Sequence, residues 1–357
     1  MEGIVVDYRS LGRSGLLVSV VGLGCDNFGH RCDPGQSAAI VHRALDLGIT
    51  LFDTADIYGP GGLSEEYLGK ALSGRRKDAV IATKFVGPAG PLTGPGLLHM
   101  GTSRRHIMYA VEDSLRRLGT DYLDLYQIHF PFPGVPMEET LRALDDLVHQ
   151  GKVRYLGCSN FSGWQIVDAN WIARTQNLSP LISAQNSYNL LDRQIEREVM
   201  PACAEHGVGI LPYFPLASGF LTGKYRPGRR RPEDARLAGE RPKTDHLTGV
   251  DDAVVRQVSP ELVRWVTPES IFTRQNYDVL AKLEAFAESR GRTVLDLAIG
   301  WLIGQPGVAS VLAGASRPDQ VEQNARASEW NLAADELAEV AAITSTSLYL
   351  QPVPTTL

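Results

Sequence analysis

The sequence predicts a single (β/α)8 TIM barrel with an N-terminal β-hairpin and a long insertion after the seventh strand. The first observation behind this is alternation. Short apolar or β-branched runs and amphipathic stretches follow one another along the chain, the pattern of a parallel sheet with crossover helices. The second is number, since eight such runs favour a closed barrel over an open doubly wound sheet. The third is continuity: no Pro/Ser-rich linker divides the 357 residues, a length that one barrel accommodates. Residues 1–357 therefore read as one domain.

Each element has its own signal. Strands are expected at 18–23, 50–53, 80–83, 123–128, 153–159, 181–185, 208–213 and 308–313. Between them, apolar residues recur at helical spacing, as in 38–47, 65–72, 104–118, 138–149 and 194–206. Ser64 and Ser103 suit helix N-caps, and Gly48, Gly119, Gly151 and Gly207 stand where helices should end. Residues 5–18 suggest a hairpin turning at Arg13-Ser14-Gly15. Residues 226–270 form a polar insertion that would lie on the C-terminal face of the barrel, as solvated surface or as a lid.

Composition narrows the function. The chain is 43% hydrophobic and 21% charged, with a net charge of −6. An acidic balance argues against nucleic-acid or membrane-surface binding. The basic run RPGRRR has acidic neighbours and reads as a solvated loop. No apolar run approaches the roughly 18 residues of a spanning helix, and the first residues lack a secretory pattern. The four cysteines (Cys25, Cys32, Cys158, Cys203) form no CxxC pair. A reduced, cytoplasmic protein is expected. No HxH or HExxH pattern supports a metal site. GLGCDN lacks the third glycine of a dinucleotide-binding turn.

In a barrel, chemistry belongs at the C-terminal ends of the strands. The polar residues there are Asp53, Lys84, His129, Ser159, Asn160 and Gln185, with Tyr58 in the loop after the second strand. Taken singly, Asp53 reads equally as a turn residue, Tyr58 as a half-buried surface residue and His129 as a core histidine. Together they suggest acid–base work. A buried Lys84 beside Asp53 and Tyr58 would lower the phenol pKa from about 10, and a neutral His129 would orient a carbonyl. With no nucleophile–base pair in view, the set suits carbonyl reduction with hydride from an external cofactor.

FDTADIYGPGGLSEEYLGKAL (residues 52–72) resembles the signature of the aldo-keto reductase family, in the branch that holds bacterial members and potassium-channel β subunits. Lys84 in IATKF and His129 in DLYQIHF complete an Asp-Tyr-Lys-His tetrad in the family's order. RSLGRSGLLVSVVGLGCDNFG is similar to the family's opening hairpin and first strand. The resemblance runs from about residue 8 to about residue 340. It implies Tyr58 as general acid, Asp53 and Lys84 tuning it, and His129 orienting the carbonyl. It implies NADPH as cofactor. Ser159 and Asn160 in KVRYLGCSNFS, with Gln185 in AQNSYNLL, would hold the carboxamide, and Tyr213 would stack on the nicotinamide. In FPLASGFLTGKY, the residues Pro215, Leu216, Ser218, Gly219 and Lys224 would meet the pyrophosphate. In AGASRPDQVEQN, the residues Gly314, Ser316 and Arg317 would take the 2′-phosphate side, and Gln320, Gln323 and Asn324 the adenine. Arg binds phosphate in a bidentate way, and a helix N-terminus favours anions.

Three departures from the family pattern concern cofactor geometry. Phe214 stands where relatives commonly have Ser, Gln323 where they often have Glu, and Asp26-Asn27 is unusual. The expected partner is a small-molecule carbonyl, with no nucleic acid and no membrane; oligomeric state is not readable. Phe28, Phe85, Phe130, Phe132 and Trp164 stand near strand ends as candidates for the pocket wall, with at least half of them expected in the core; such a wall would suit an apolar or ring-shaped carbonyl, while sugar-nucleotide ketones also fit. The alternative is an NADPH-binding sensor or regulatory subunit with little turnover.

Overall fold

The computed structural model describes residues 6–85, 101–132, 134–232, 235–237 and 268–345. The hairpin comes first: β1 (Tyr8–Ser10) pairs antiparallel with β2 (Leu17–Ser19). Eight parallel strands follow: β3 (Val21–Gly24), β4 (Leu51–Asp53), β5 (Val80–Phe85), β6 (Leu123–Ile128), β7 (Val153–Ser159), β8 (Leu181–Gln185), β9 (Gly209–Ile210) and β10 (Val311–Gly314). They lie side by side in the order β10-β3-β4-β5-β6-β7-β8-β9. Bonds past the ends of the regular strands close the ring. Ile210 N–H donates to Gly307 O, Ala309 N–H to Ile210 O, and Leu312 N–H to Pro212 O, at 2.8–3.0 Å.

Alternation along each strand sorts side chains between two cores. Leu51, Ala82, Leu125, Ile182 and Leu312 fill the barrel together with Leu11 and Val18 of the hairpin, which plugs its N-terminal end. Ile81, Phe85, Tyr126 and Ile128 face outward into the helix layer. Because Ala82 points inward, Lys84 two residues on points inward as well, and so does Gln127 after Leu125. The polar inward positions fall at the C-terminal end, opposite the hairpin.

The helix layer contains α1 (Pro34–Asp46), α2 (Leu63–Ala71), α3 (Arg104–Leu118), α4 (Met137–His149), α5 (Gly163–Thr175), α6 (Val199–His206), α7 (Pro268–Ile271), α8 (Arg274–Glu288), α9 (Val294–Ile303), α10 (Pro318–Ala327) and α11 (Ala334–Thr344). Ser103 caps α3 by accepting from His106 N–H, and Gly119 ends it in the left-handed conformation at φ 61°. Helix α2 approaches α3 so closely that a Cβ at Gly69 would overlap the Leu118 carbonyl. Gly69→Ala is expected to cost about 1–3 kcal/mol through overpacking, read as a lower urea midpoint with an unchanged slope.

Several expected boundaries differ. The first predicted strand divides at Val20 into β2 of the hairpin and β3 of the barrel, because the chain turns there from plugging the barrel to entering its wall. The stretch expected as one helix over 194–206 is a 3-10 turn, Gln194–Glu196, followed by α6. Ser64 is not a cap: Gly62 takes that position, and Ser64 sits buried inside α2. Most of the 226–270 insertion lies outside the described residues. Its described parts include Arg231, whose Nη1 donates to Leu237 O, and α7 at its end. Among the described residues, no helix is long and apolar enough to cross a membrane.

Candidate active site

A cavity of about 620 Å³ opens at the C-terminal ends of the strands. Every residue expected at the site lines it except Lys84, which stands directly behind: Asp53, Tyr58 and His129; Ser159, Asn160 and Gln185; Tyr213, Pro215, Leu216, Ser218, Gly219 and Lys224; Gly314, Ser316, Arg317, Gln320, Gln323 and Asn324.

Lys84 has 0% exposure, so its charge needs full compensation. Its Nζ donates to Asp53 Oδ2 at 2.7 Å, to Thr54 O at 2.9 Å and to the Tyr58 hydroxyl at 3.2 Å. The other Asp53 oxygen accepts from Gln185 Nε2 at 2.7 Å and from Gln127 Nε2 at 3.4 Å. The Tyr58 and His129 rings meet edge to face, with centroids 5.7 Å apart. His129 also stacks on Phe130 at 4.2 Å.

The electrostatics confirm one expectation and reverse another. Burial, reinforced by the Lys84 charge, holds His129 well below its ordinary pKa, so the imidazole is neutral at pH 7. Tyr58 moves upward, not downward. Burial pushes its phenol well above 10 and the Asp53 charge adds to this. The sequence-based expectation weighed the Lys84 charge but not the cost of burying a phenolate. With the ammonium 2.7 Å from Asp53, the pair is close to neutral and burial dominates. Tyr58 therefore stays a phenol, the form that can give a proton.

A second network joins the far wall. Ser159 Oγ donates to Gln185 O at 2.9 Å, and Asn160 Nδ2 donates to His129 O and to Ser159 Oγ, both at 3.0 Å. Tyr213 O–H donates to Asn160 Oδ1 at 2.7 Å. Asn160, Phe214 and Ser218 have φ of 62°, 55° and 56°, a strained region for residues with a Cβ. Asn189 Nδ2 holds the Phe214 carbonyl at 3.1 Å and thereby steadies this turn. On the last wall, Ser316 N–H and Oγ donate to Gln320 Oε1 at 2.8 and 3.2 Å, while Arg317 at the N-cap of α10 pairs with Asp319 at 3.1 Å.

The aromatic wall reduces to one ring. Of the five candidate aromatics only Phe130 lines the cavity. Phe28 and Phe85 have 0% exposure and belong to the core, Phe132 packs over Gly101, and Trp164 on α5 is 65% exposed on the outside. Strand-end position alone does not say which way a ring turns. Missed by sequence reasoning were Arg31, Arg236, Asp296 and Arg326, which also line the cavity. Arg236, from the insertion, forms an ion pair with Asp26 after β3. The unusual Asp26-Asn27 was the visible half of that contact; no signal marked Arg236. Among the described residues, no group of three or more His, Cys, Asp or Glu could hold a metal.

Fold and site together define an oxidoreductase of the barrel type. The chain belongs to the aldo/keto reductase family, whose model matches residues 20–345. It is 36% identical over 328 residues to a probable voltage-gated potassium channel subunit beta of Arabidopsis thaliana, covering 90% of this chain and 91% of that protein. It is 35% identical over 343 residues to the L-glyceraldehyde 3-phosphate reductase of Escherichia coli K12, covering 94% and 91%. To the aldo-keto reductase YhdN of Bacillus subtilis it is 33% identical over 341 residues, covering 94% and 92%.

Proposed function

We propose that the chain reduces an aldehyde or ketone to an alcohol with NADPH, Tyr58 supplying the proton. The observation that carries this is a half-buried phenol 3.2 Å from Lys84 Nζ, at a cavity whose other walls suit a dinucleotide. The fit is chemical. Lys224 and the left-handed turn at Ser218 and Gly219 suit a pyrophosphate. Arg317, Ser316 and the start of α10 suit a further phosphate. Ser159, Asn160 and Gln185 would hold the carboxamide and Tyr213 the nicotinamide ring, with Gln320, Gln323 and Asn324 at the adenine.

When bound, the cofactor supplies a hydride to the carbonyl carbon. The substrate oxygen then gains negative charge, and Tyr58 gives it the phenolic proton, so the carbonyl π bond is replaced by new C–H and O–H bonds. The phenolate left behind is stabilised by Lys84, whose own charge Asp53 balances. Neutral His129 donates a hydrogen bond to the substrate oxygen and fixes its approach. Phe130 and the Tyr213–Phe214 turn shield the reacting atoms from water. With Asp26, Arg31 and Arg236 in the wall, a small polar carbonyl fits better than a purely apolar ring. L-glyceraldehyde 3-phosphate, after which the Escherichia coli relative is named, belongs in the first substrate panel.

The test is NADPH oxidation against aldehydes, ketones and keto-sugars. Tight NADPH binding with no turnover on any of them would favour a sensor instead. Cofactor choice has its own test. Arg317→Ala is expected to weaken NADPH binding by about 10- to 150-fold, the worth of about 1.5–3 kcal/mol for a charged hydrogen bond, and to leave NADH binding unchanged. Equal losses for both cofactors would remove Arg317 from the 2′-phosphate.

A further inference from the structure

Tyr58 is not on a strand. It rides on a loop between β4 and α2, next to Gly59, Gly61 and Gly62, all at positive φ. Something must fix where that loop returns, because a displacement on the order of 1 Å in a reacting group can cost about 10²-fold in rate. The return point is Ser64-Glu65 at the start of α2, and both residues have 0% exposure.

Ser64 N–H donates to the Tyr58 carbonyl at 3.0 Å. Its hydroxyl donates to Cys25 O at 2.8 Å and meets the Thr54 hydroxyl at 2.8 Å. Glu65 Oε1 accepts from the Thr83 hydroxyl at 2.6 Å, and Oε2 accepts from Arg117 Nε at 2.6 Å. Both Glu65 oxygens are thus engaged in short, charge-assisted bonds, the strongest kind available to a side chain. The arrangement has a pattern. Thr54 follows Asp53 and Thr83 precedes Lys84, so each tether grips the strand position beside a member of the proton-transfer group.

We propose that Ser64 and Glu65 are positioning residues. They clamp the Tyr58 loop to β4 and β5 from the helix side and so set the distance from the Tyr58 phenol to Lys84. Neither touches the cavity, and both act through Thr54 and Thr83. The inference rests on Tyr58 being the proton donor.

The experiment compares Thr83→Val, Thr83→Ser, Ser64→Ala and Tyr58→Phe in the full chain. For each, kcat and KM for the best carbonyl are measured together with NADPH affinity by fluorescence and the thermal midpoint. Thr83→Val keeps the shape of the side chain and removes only the donor to Glu65. We expect it and Ser64→Ala to lower kcat by about tenfold or more at full cofactor saturation, with NADPH affinity nearly unchanged. Thr83→Ser, which restores the hydroxyl, should recover most of the rate. A merely structural role would lower the midpoint and leave the kcat of the folded fraction intact, and that result overturns the proposal. Should Thr83→Val not fold, Ser64→Ala decides alone: a folded variant with wild-type kcat overturns the clamp. If Tyr58→Phe lowers turnover while the tether variants do not, only the positioning fails. If Tyr58→Phe leaves turnover intact, the proton-donor reading fails and takes the clamp with it.

Discussion

Replacing Tyr58 by Phe is expected to lower kcat by about 10²- to 10⁴-fold, the usual worth of a positioned proton donor. The ring remains, so its edge-to-face contact with His129 and the cavity shape should survive. NADPH affinity should hardly change, because the phenol adjoins Lys84 and His129 and not the walls assigned to the phosphates. The measurement is steady-state kinetics beside a direct cofactor titration. A parallel loss in binding and rate would mean that the ring had moved, and an undiminished rate would remove Tyr58 from the chemistry. The raised phenol pKa makes the expectation sharper. A phenol that stays protonated is a donor across the neutral range, and it releases its proton only as charge develops on the substrate oxygen.

Lys84→Met should be the most damaging single change to folding and activity together. Its side chain has 0% exposure and faces Asp53, whose side chain is 6% exposed. Removing one member leaves a buried carboxylate held by Gln185 and Gln127 alone. The expected cost is about 3–5 kcal/mol of stability. Turnover in the surviving folded protein should fall at least as far as in Tyr58→Phe, since the phenolate would lose its counter-charge. The double variant Asp53→Asn/Lys84→Met separates the two effects. Removing both charges should recover much of the stability and none of the activity. Chemical denaturation of both variants, read beside residual rate, checks this. A stable Lys84→Met would show that Asp53 finds other compensation.

These expectations began from residues far apart in sequence, and the reason they could be assembled is local. Strand alternation is a period of two, so an inward Ala82 already implies an inward Lys84. Helix ends were legible wherever the cap is made by the residue's own backbone or its near neighbours, as at Ser103 and Gly119. They were misread where a distant partner intervenes. Ser64 has the right chemistry for a cap, but its hydroxyl is engaged by Cys25 O and Thr54, so Gly62 takes the cap position. The same holds for the stretch over 194–206, where Arg193, at the head of the 3-10 turn Gln194–Glu196, donates to Thr344 Oγ1 at 2.9 Å from a distant part of the chain.

By itself the sequence determined the alternation of strand and helix, the barrel, and the chemical types at the strand ends. Its resemblance to one family supplied their roles. These depend on periodicity and on residue identity, which the chain carries locally. Only the tertiary structure decided which aromatics face the cavity, since Phe28 and Phe85 vanish into the core while Phe130 remains in the wall. It also decided the direction of the Tyr58 pKa, the pairing of Arg236 with Asp26, and the link from Glu65 to Thr83. Each of these is set by burial or by a charge brought near from a distant part of the chain. Desolvation and Coulomb terms depend on distance in space, and separation along the sequence does not report that distance.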